Sequence, residues 1–502
     1  MKNKMKKSSN LGNSIAGIFR KNWRENFVFD AINDTVISYE EFFTKVILYR
    51  KKFKKLGLTS ASTLVLIMNN SVDLMVLYFA GLLTGIRIVP IDPLKGVSEL
   101  NEILNQIEYR VIISDISTAD FKTEKVIRIE EFRKSLPLKI TVKKDDLNLF
   151  NKIDYKNPYL IVFTSGSTGS PKGVIHSFEN LIKSALSFGG KFNLGSGNTF
   201  YHNLPMTYMA GILNQIFMPF IFSSKIVIGN RFGISTINNF WEYPIKYSVN
   251  TFWFNPTILS LLMKLDRGSQ GIEYMKHVPV VGFVGTAPLN YSLKRKFEKK
   301  YNTVLYESYG LSETLFIATE SPRDKRKKGS VGKPLKGVKI KFAADKEILL
   351  ETEWTFLGYV GNDIRNGLDG NKFLSGDLGH IDKNNLLHIT GRKKDLIIKG
   401  GINISPRRLE NFINDLDLFE ESVILGIEDE VLGEKIVCFY APNLGSKDED
   451  YKKVINNGIV EKLGMHYKID EFFKLDEVFK NINGKVDVFK IRRIYKANDC
   501  SN

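Results

Sequence analysis

Cysteine is nearly absent: Cys438 lies in an apolar run and Cys500 among the polar last residues, so no disulfide framework can be drawn. A reducing compartment, the cytoplasm, is the expected home. No apolar run reaches the length that spans a bilayer, and the longest candidates, such as 211-GILNQIFMPFIF-222, are broken by polar residues. The basic start, residues 1–23, lacks the continuous apolar segment of an export signal because Asn13, Ser14 and Gly17 interrupt it. Histidine is scarce as well. His380 and His388 have neither a nearby cysteine nor a third histidine, which argues against zinc.

What is present describes a globular protein. Apolar residues make up 43% and charged residues 25% of 502 positions, a chain long enough for two or more domains. The net charge of +17 favours anionic partners, among them ATP, acidic carrier proteins and lipid surfaces. Its basic stretches, such as 50–55 and 325–328, are scattered, and no nucleic-acid-binding signature accompanies them. Leu11, Ile15, Phe19 and Trp23 recur at helical spacing. That stripe permits peripheral membrane contact, although packing on the domain is the favoured reading.

Along the chain, 64-LVLIM-68 reads as a buried strand, 72–85 as a helix ended by glycine, and 86-IRIVPI-91 and 110-RVIISD-115 as further strands. The alternation returns with strand 159–166, helix 178–190 and an apolar strand over 278–289. The expected fold is α/β, a large multi-subdomain N-terminal region with mainly parallel sheets. After Gly391 the character changes. A short helix, strands over 423–427 and 435–442, a helix over 449–464 and a basic tail predict a small mobile α+β C-terminal domain. The expected division is a large domain over 1–391, a hinge over 392–395 and a small domain over 396–502.

Sites in parallel sheets lie at the carboxyl ends of strands, and three such transitions carry reactive side chains. The segment 164-TSGSTGSPKG-173 follows a strand with glycines, hydroxyls and Lys172, a combination that can converge N–H groups and charge on a polyphosphate. Its order fails the P-loop pattern, and a plain flexible loop would share its composition. In 306-YESYGLSET-314, two tyrosines offer flat faces and Glu313 a hard oxygen for Mg²⁺; a solvated acid near a core tyrosine is the bland alternative. Asp377 can accept hydrogen bonds from ribose hydroxyls, and Arg392, beyond the strand 386–390, can donate to ribose or phosphate oxygens. Lys485 follows a glycine in a polar stretch and can stand on an exposed tip.

In order and spacing, 164-TSGSTGSPKG-173, 309-YGLSE-313, 376-GD-377, 391-GRKKD-395 and 484-GK-485 resemble the adenylate-forming superfamily of acyl-CoA synthetases, adenylation domains and luciferases. The likeness implies an ATP-dependent ligase that forms an acyl adenylate, releases pyrophosphate and transfers the acyl group to coenzyme A. A stand-alone ligase loading the phosphopantetheine of an acidic carrier protein is the alternative. The resemblance further implies that Thr164, Ser165, Gly166, Ser167, Thr168, Gly169 and Lys172 hold the β- and γ-phosphates. It sets Gly285, Thr286, Ala287 and Pro288 beside adenine, and Glu307, Ser308, Tyr309, Gly310 and Ser312 at the border of base and acyl pocket. Glu313 is the implied Mg²⁺ ligand, Asp377 and Arg392 hold ribose or phosphate, and Lys485, with Lys172, Glu313 and Thr168, is catalytic. Lys399, Gly400 and Gly401 fall in the region that lines the pantetheine tunnel, and Lys394 at the hinge.

Two departures stand out. Glu307 occupies a place more often filled by asparagine or glutamine, and Tyr208 one where acyl- and aryl-activating relatives often carry histidine. No aspartate lies in 201-YHNLPMTYMAGILNQ-215 to meet a substrate ammonium, which disfavours an α-amino acid. Some of 252-FWFNPTILSLLM-263 is expected to form pocket wall.

Overall fold

The computed structural model describes residues 2–117, 125–136, 140–164, 170–361, 368–369, 372–416, 418–442, 451–479 and 486–499, with side chains from residue 11 onward except at 369 and 499. The strand Thr63–Ile67 is buried at every position, as an unbroken run of Leu, Val and Ile predicts for a strand covered on both faces. The helix Val72–Thr84 follows. It starts where the Ser71 hydroxyl accepts the Leu74 N–H and stops at Gly85, whose φ of 77° is the left-handed cap that glycine adopts without penalty. Arg87–Ile91 and Val111–Ser114 then pair parallel to either side of Thr63–Ile67.

Seven strands form this first sheet, whose other members include Pro158–Thr164 and Lys172–Ser177. These two pair antiparallel, with Thr164 opposite Lys172. The element that follows the glycine-rich segment is thus the strand Lys172–Ser177, where a P-loop leads into a helix. A nine-stranded sheet built around parallel strands Thr199–His202, Thr251–Phe254, Val281–Val284 and Val304–Leu311 packs beside it. One extended core of aliphatic and aromatic side chains joins the two sheets. The strand expected over 278–289 is only four residues long, because small residues and Pro288 follow Val284.

A third sheet was not foreseen. Val338–Phe342, Glu347–Thr352, Lys372–Ile381 and Leu387–Arg392 are antiparallel throughout, so the large region mixes sheet types. The turn Lys393–Asp395 follows, and then a fourth sheet built on Phe419–Asp429 and Gly433–Pro442 with the helices Pro406–Leu416 and Tyr451–Leu463. This is the smaller α+β domain. The basic tail proves to contain a helix, Val488–Asp499, in which Ile491 and Tyr495 are buried one turn apart.

The N-terminal stripe is spent on the core. Ile15 and Phe19 of helix Lys2–Lys21 are fully buried, and the Phe19 ring lies 5.6 Å from Phe150 and 5.3 Å from both Phe43 and Phe220. No helix among the described residues is long and apolar enough to cross a membrane. Phe19→Ala should cost about 3–5 kcal/mol in urea unfolding, the range for truncating a well-packed buried phenylalanine. A loss below about 1 kcal/mol would mean that this helix is not part of the core.

Candidate active site

The ends of several strands face one cavity of about 860 Å³. Thr164 and Lys172 enter it from the first sheet, Thr286, Ser308 and Gly310 from the second, and Ser312 and Glu313 from the turn beyond; Arg392 and Lys394 complete its far side.

The turn carrying Glu313 is tied down at three successive carbonyl oxygens. His176 donates through Nε2 to the Ser312 oxygen at 2.6 Å, the Phe356 N–H to that of Glu313 at 2.8 Å, and Trp354 Nε1 to that of Thr314 at 2.8 Å. Leu315 follows with φ of 52°, a strained value for leucine that this bracing sustains. Glu313 accepts a hydrogen bond at Oε1 from the Tyr359 hydroxyl at 2.8 Å, and its second oxygen has no partner among the described residues. Burial, reinforced by that carboxylate, raises the Tyr359 pKa, so its proton stays on as donor. Lys172 holds its ammonium 6.0 Å from the centre of the same ring. A free carboxylate oxygen and an ammonium thus flank one aromatic platform, a pairing suited to a divalent ion and phosphate oxygens.

Asp377 is buried and committed to the protein. Arg392 Nε donates to Oδ1 at 2.8 Å and the Tyr309 hydroxyl to Oδ2 at 2.7 Å. Burial and the Asp377 charge hold Tyr309 well above its ordinary pKa, so it remains a neutral donor. Glu307 turns inward as well. It meets Lys294 at 2.8 Å, and Lys294 also meets the buried Glu320 at 2.6 Å. Burial opposes charge on Lys294, yet its two carboxylates outweigh that and raise its pKa. Burial raises the Glu307 pKa against the pull of Lys294.

The remaining expected residues divide. Gly285, just after its strand, has so little room that an added Cβ would lie 2.7 Å from the Ser308 hydroxyl, and neither it nor Ala287 and Pro288 lines the cavity. Glu307, Tyr309 and Asp377 stand behind the lining. Lys399 pairs with Asp470 at 2.6 Å inside the small domain, with Gly400 and Gly401 at its hairpin turn. Ser165, Gly166, Ser167, Thr168, Gly169, Lys485 and Cys500 lie outside the described residues.

A sequence model described as AMP-binding enzyme matches residues 20–359, more than half of the chain. The chain belongs to that family. Within this adenylate-forming family, which includes AMP-forming acid-thiol ligases, it is 28% identical to a sulfoacetate--CoA ligase of Cupriavidus necator, over 66% of each chain. It is 26% identical to a 2-succinylbenzoate--CoA ligase of Bacillus licheniformis over 87% of its own length and 90% of the relative's. In fold it matches ATP-bound MatB from Rhodopseudomonas palustris with a TM-score of 0.85, 20% identity and coverage of 97% of this chain and 99% of that one.

Several supports of this AMP-binding enzyme escaped sequence reading. Tyr359, His176, Trp354 and Lys294 carry no local motif, and long-range pairing alone brings them to the site. His176 and His202 are fully buried, and burial holds them neutral, with pKa values lowered to about 4 and about 3. Each lies below the ordinary unfolded value near 6.5, so the unfolded chain binds more protons between the two pKa values and stability falls as pH drops through that window. His176→Gln, which keeps a donor for Ser312, should remove up to about 1.4 kcal/mol per pH unit from the slope between pH 6.5 and 4, read by urea unfolding. An unchanged slope would show that His176 is not held neutral.

Proposed function

We propose that this chain activates a carboxylic acid with ATP, forming an acyl adenylate, and passes the acyl group to the thiol of coenzyme A. The observation that carries this reading is the Lys172–Tyr359–Glu313 constellation at the mouth shared by both sheets, with one Glu313 oxygen uncommitted among the described residues. Its chemistry fits the charge that develops when pyrophosphate leaves. Glu313 would hold Mg²⁺, which supplies charge neutralisation on the phosphates when bound.

The chain's own groups divide the remaining work. The acid carboxylate attacks the α-phosphorus, the bond to the β-phosphate bridging oxygen breaks, and Lys172 with the hydroxyls of Thr164, Ser165, Ser167 and Thr168 receives the pyrophosphate charge. The N–H groups around Gly166 and Gly169 would reinforce them. Gly285 to Pro288 and Glu307 to Gly310 would border the base, with Ser312 beside the metal ligand. Arg392, oriented by Asp377, would donate to ribose or phosphate. Lys485 would bridge carboxylate and α-phosphate. The small domain, beyond a joint at 392–395, would then withdraw Lys485 and bring Lys399, Gly400 and Gly401 to a thiol channel.

Coenzyme A is favoured over a carrier protein as acceptor because the related proteins named above are CoA ligases. Lys485→Ala should slow adenylation about 10²- to 10³-fold, the scale for losing one preorganised donor, yet still convert supplied acyl adenylate and CoA to thioester. Lys394→Pro, by fixing φ at the joint, should spare adenylation and impair thioester formation. Equal slowing of both steps by Lys485→Ala, or wild-type thioester formation by Lys394→Pro, would refute the two-state mechanism.

A further inference from the structure

Resting on the adenylation reading, the acyl end of the cavity indicates what kind of acid it takes. Its wall is supplied by the chain after Thr199–His202, where Ala210–Phe217 forms a π-helix, an uncommon geometry that recurs at functional sites. Hydrogen bonds fix this segment. His202 Nε2 bonds the Gly211 carbonyl at 3.0 Å, Tyr78 donates its hydroxyl proton to the Met206 oxygen at 2.7 Å, and Asn70 both accepts from the Met206 N–H and donates to the Leu204 oxygen. Gly211 is required at its place, since a Cβ there would meet the Pro205 oxygen at 1.9 Å.

Two neighbouring amides on that segment behave oppositely. Gln215 is fully buried and fully used: its Oε1 accepts from the Leu204 N–H, and its Nε2 donates to the Tyr201 oxygen and Asn203 Oδ1. Asn214 is also buried, with 5% of its surface exposed, and lines the cavity without any hydrogen-bond partner among the described residues. Its amide therefore opens onto the cavity with two donors and an acceptor uncommitted among the described residues. Around it the wall is apolar or neutral, formed by Thr207, Met209, Leu213, Trp253 and Phe316. The Phe316 ring stacks on Trp253 at 5.6 Å.

Charge is absent from that stretch. Elsewhere on the lining, Lys95 pairs with Glu99, Asp92 with Arg231, Lys393 with Glu347 and Arg392 with Asp377, while Lys172 and Lys394 belong to the phosphate and joint regions. A second anionic group held against the stretch around Asn214 would find no countercharge within that stretch. We propose that the substrate is a monocarboxylic acid bearing a neutral hydrogen-bonding group, a hydroxyl or carbonyl, remote from its carboxylate, and that Asn214 receives that group. Asn214 is then a specificity-determining residue.

The test is acid-dependent ATP–pyrophosphate exchange with matched acids: hexanoate, 5-oxohexanoate and adipate, and benzoate, 3-hydroxybenzoate and isophthalate. Wild-type enzyme should favour the neutral polar member of at least one set over its apolar match by about 10- to 100-fold in kcat/KM, with the diacid poorest. Asn214→Leu should abolish or invert that ratio. Asn214→Asp, nearly isosteric, should lose the carbonyl-bearing acid and retain the hydroxyl-bearing one, since a carboxylate only accepts. Because each ratio compares two acids on one preparation, a loss of folded protein cancels. Equal use of polar and apolar acids, preference for a diacid, or a ratio unmoved in both variants would overturn the proposal while leaving adenylation standing. Absence of exchange with every acid would overturn the adenylation reading and this proposal with it.

Discussion

Three carbonyl oxygens in a row, those of Ser312, Glu313 and Thr314, are each held by a donor from a distant part of the chain. His176 comes from the strand Lys172–Ser177, and Trp354 and Phe356 together from the connection that leaves the third sheet. The Glu313 carboxylate is consequently aimed before any ligand arrives, with Tyr359 steadying one oxygen. A charged group fixed in place needs little reorganisation when charge develops beside it, the condition under which electrostatic stabilisation is strongest. The strained Leu315 backbone is compatible with that view, since local strain persists where surrounding contacts determine the chain path.

The same logic of commitment appears one layer back. Asp377 gives its oxygens to Arg392 and Tyr309, Glu307 turns to Lys294, and Lys294 also answers Glu320. These pairs orient the residues that line the cavity. The contacts between the large and small domains have another character: Lys328 with Asp415 and Lys264 with Glu420 are half-exposed ion pairs, and Ser405 donates to the Thr390 oxygen at 2.7 Å. Exposed pairs of this type contribute about 0–1 kcal/mol each. These exposed pairs do little to hold the domains together, as the proposed domain swing requires, and Arg407 of the small domain, half-buried facing Glu307 and Asp377 of the large one, is a contact the swing would have to break.

Much of this was legible in the sequence because the informative residues are clustered in chain order. The strand Thr63–Ile67, its helix and the capping Gly85 follow from an apolar run and a terminal glycine. Lys172, Glu313 and Arg392, which the resemblance assigns to one nucleotide site, line one cavity, while Asp377, expected at a common mouth with Arg392, stands behind the lining and orients it. What could not be read was long-range. Tyr359 reaches Glu313 across 46 positions and His176 reaches Ser312 across 136, and neither has a local pattern. The antiparallel sheet was hidden because its strands carry charges on exposed edges, as in Val338–Phe342. The helix Val488–Asp499 was masked by Lys490, Arg492, Arg493 and Lys496, which surround the buried pair Ile491 and Tyr495.

The account rests on attack of the acid carboxylate on the α-phosphorus of ATP. The most direct measurement follows ¹⁸O from a doubly labelled carboxylic acid through one complete turnover with CoA and Mg²⁺, reading the nucleotide and pyrophosphate by mass spectrometry. The account predicts one ¹⁸O in AMP, one retained in the thioester carbonyl and none in pyrophosphate. Label appearing in inorganic phosphate with ADP as the nucleotide product, or AMP formed without label, would contradict it.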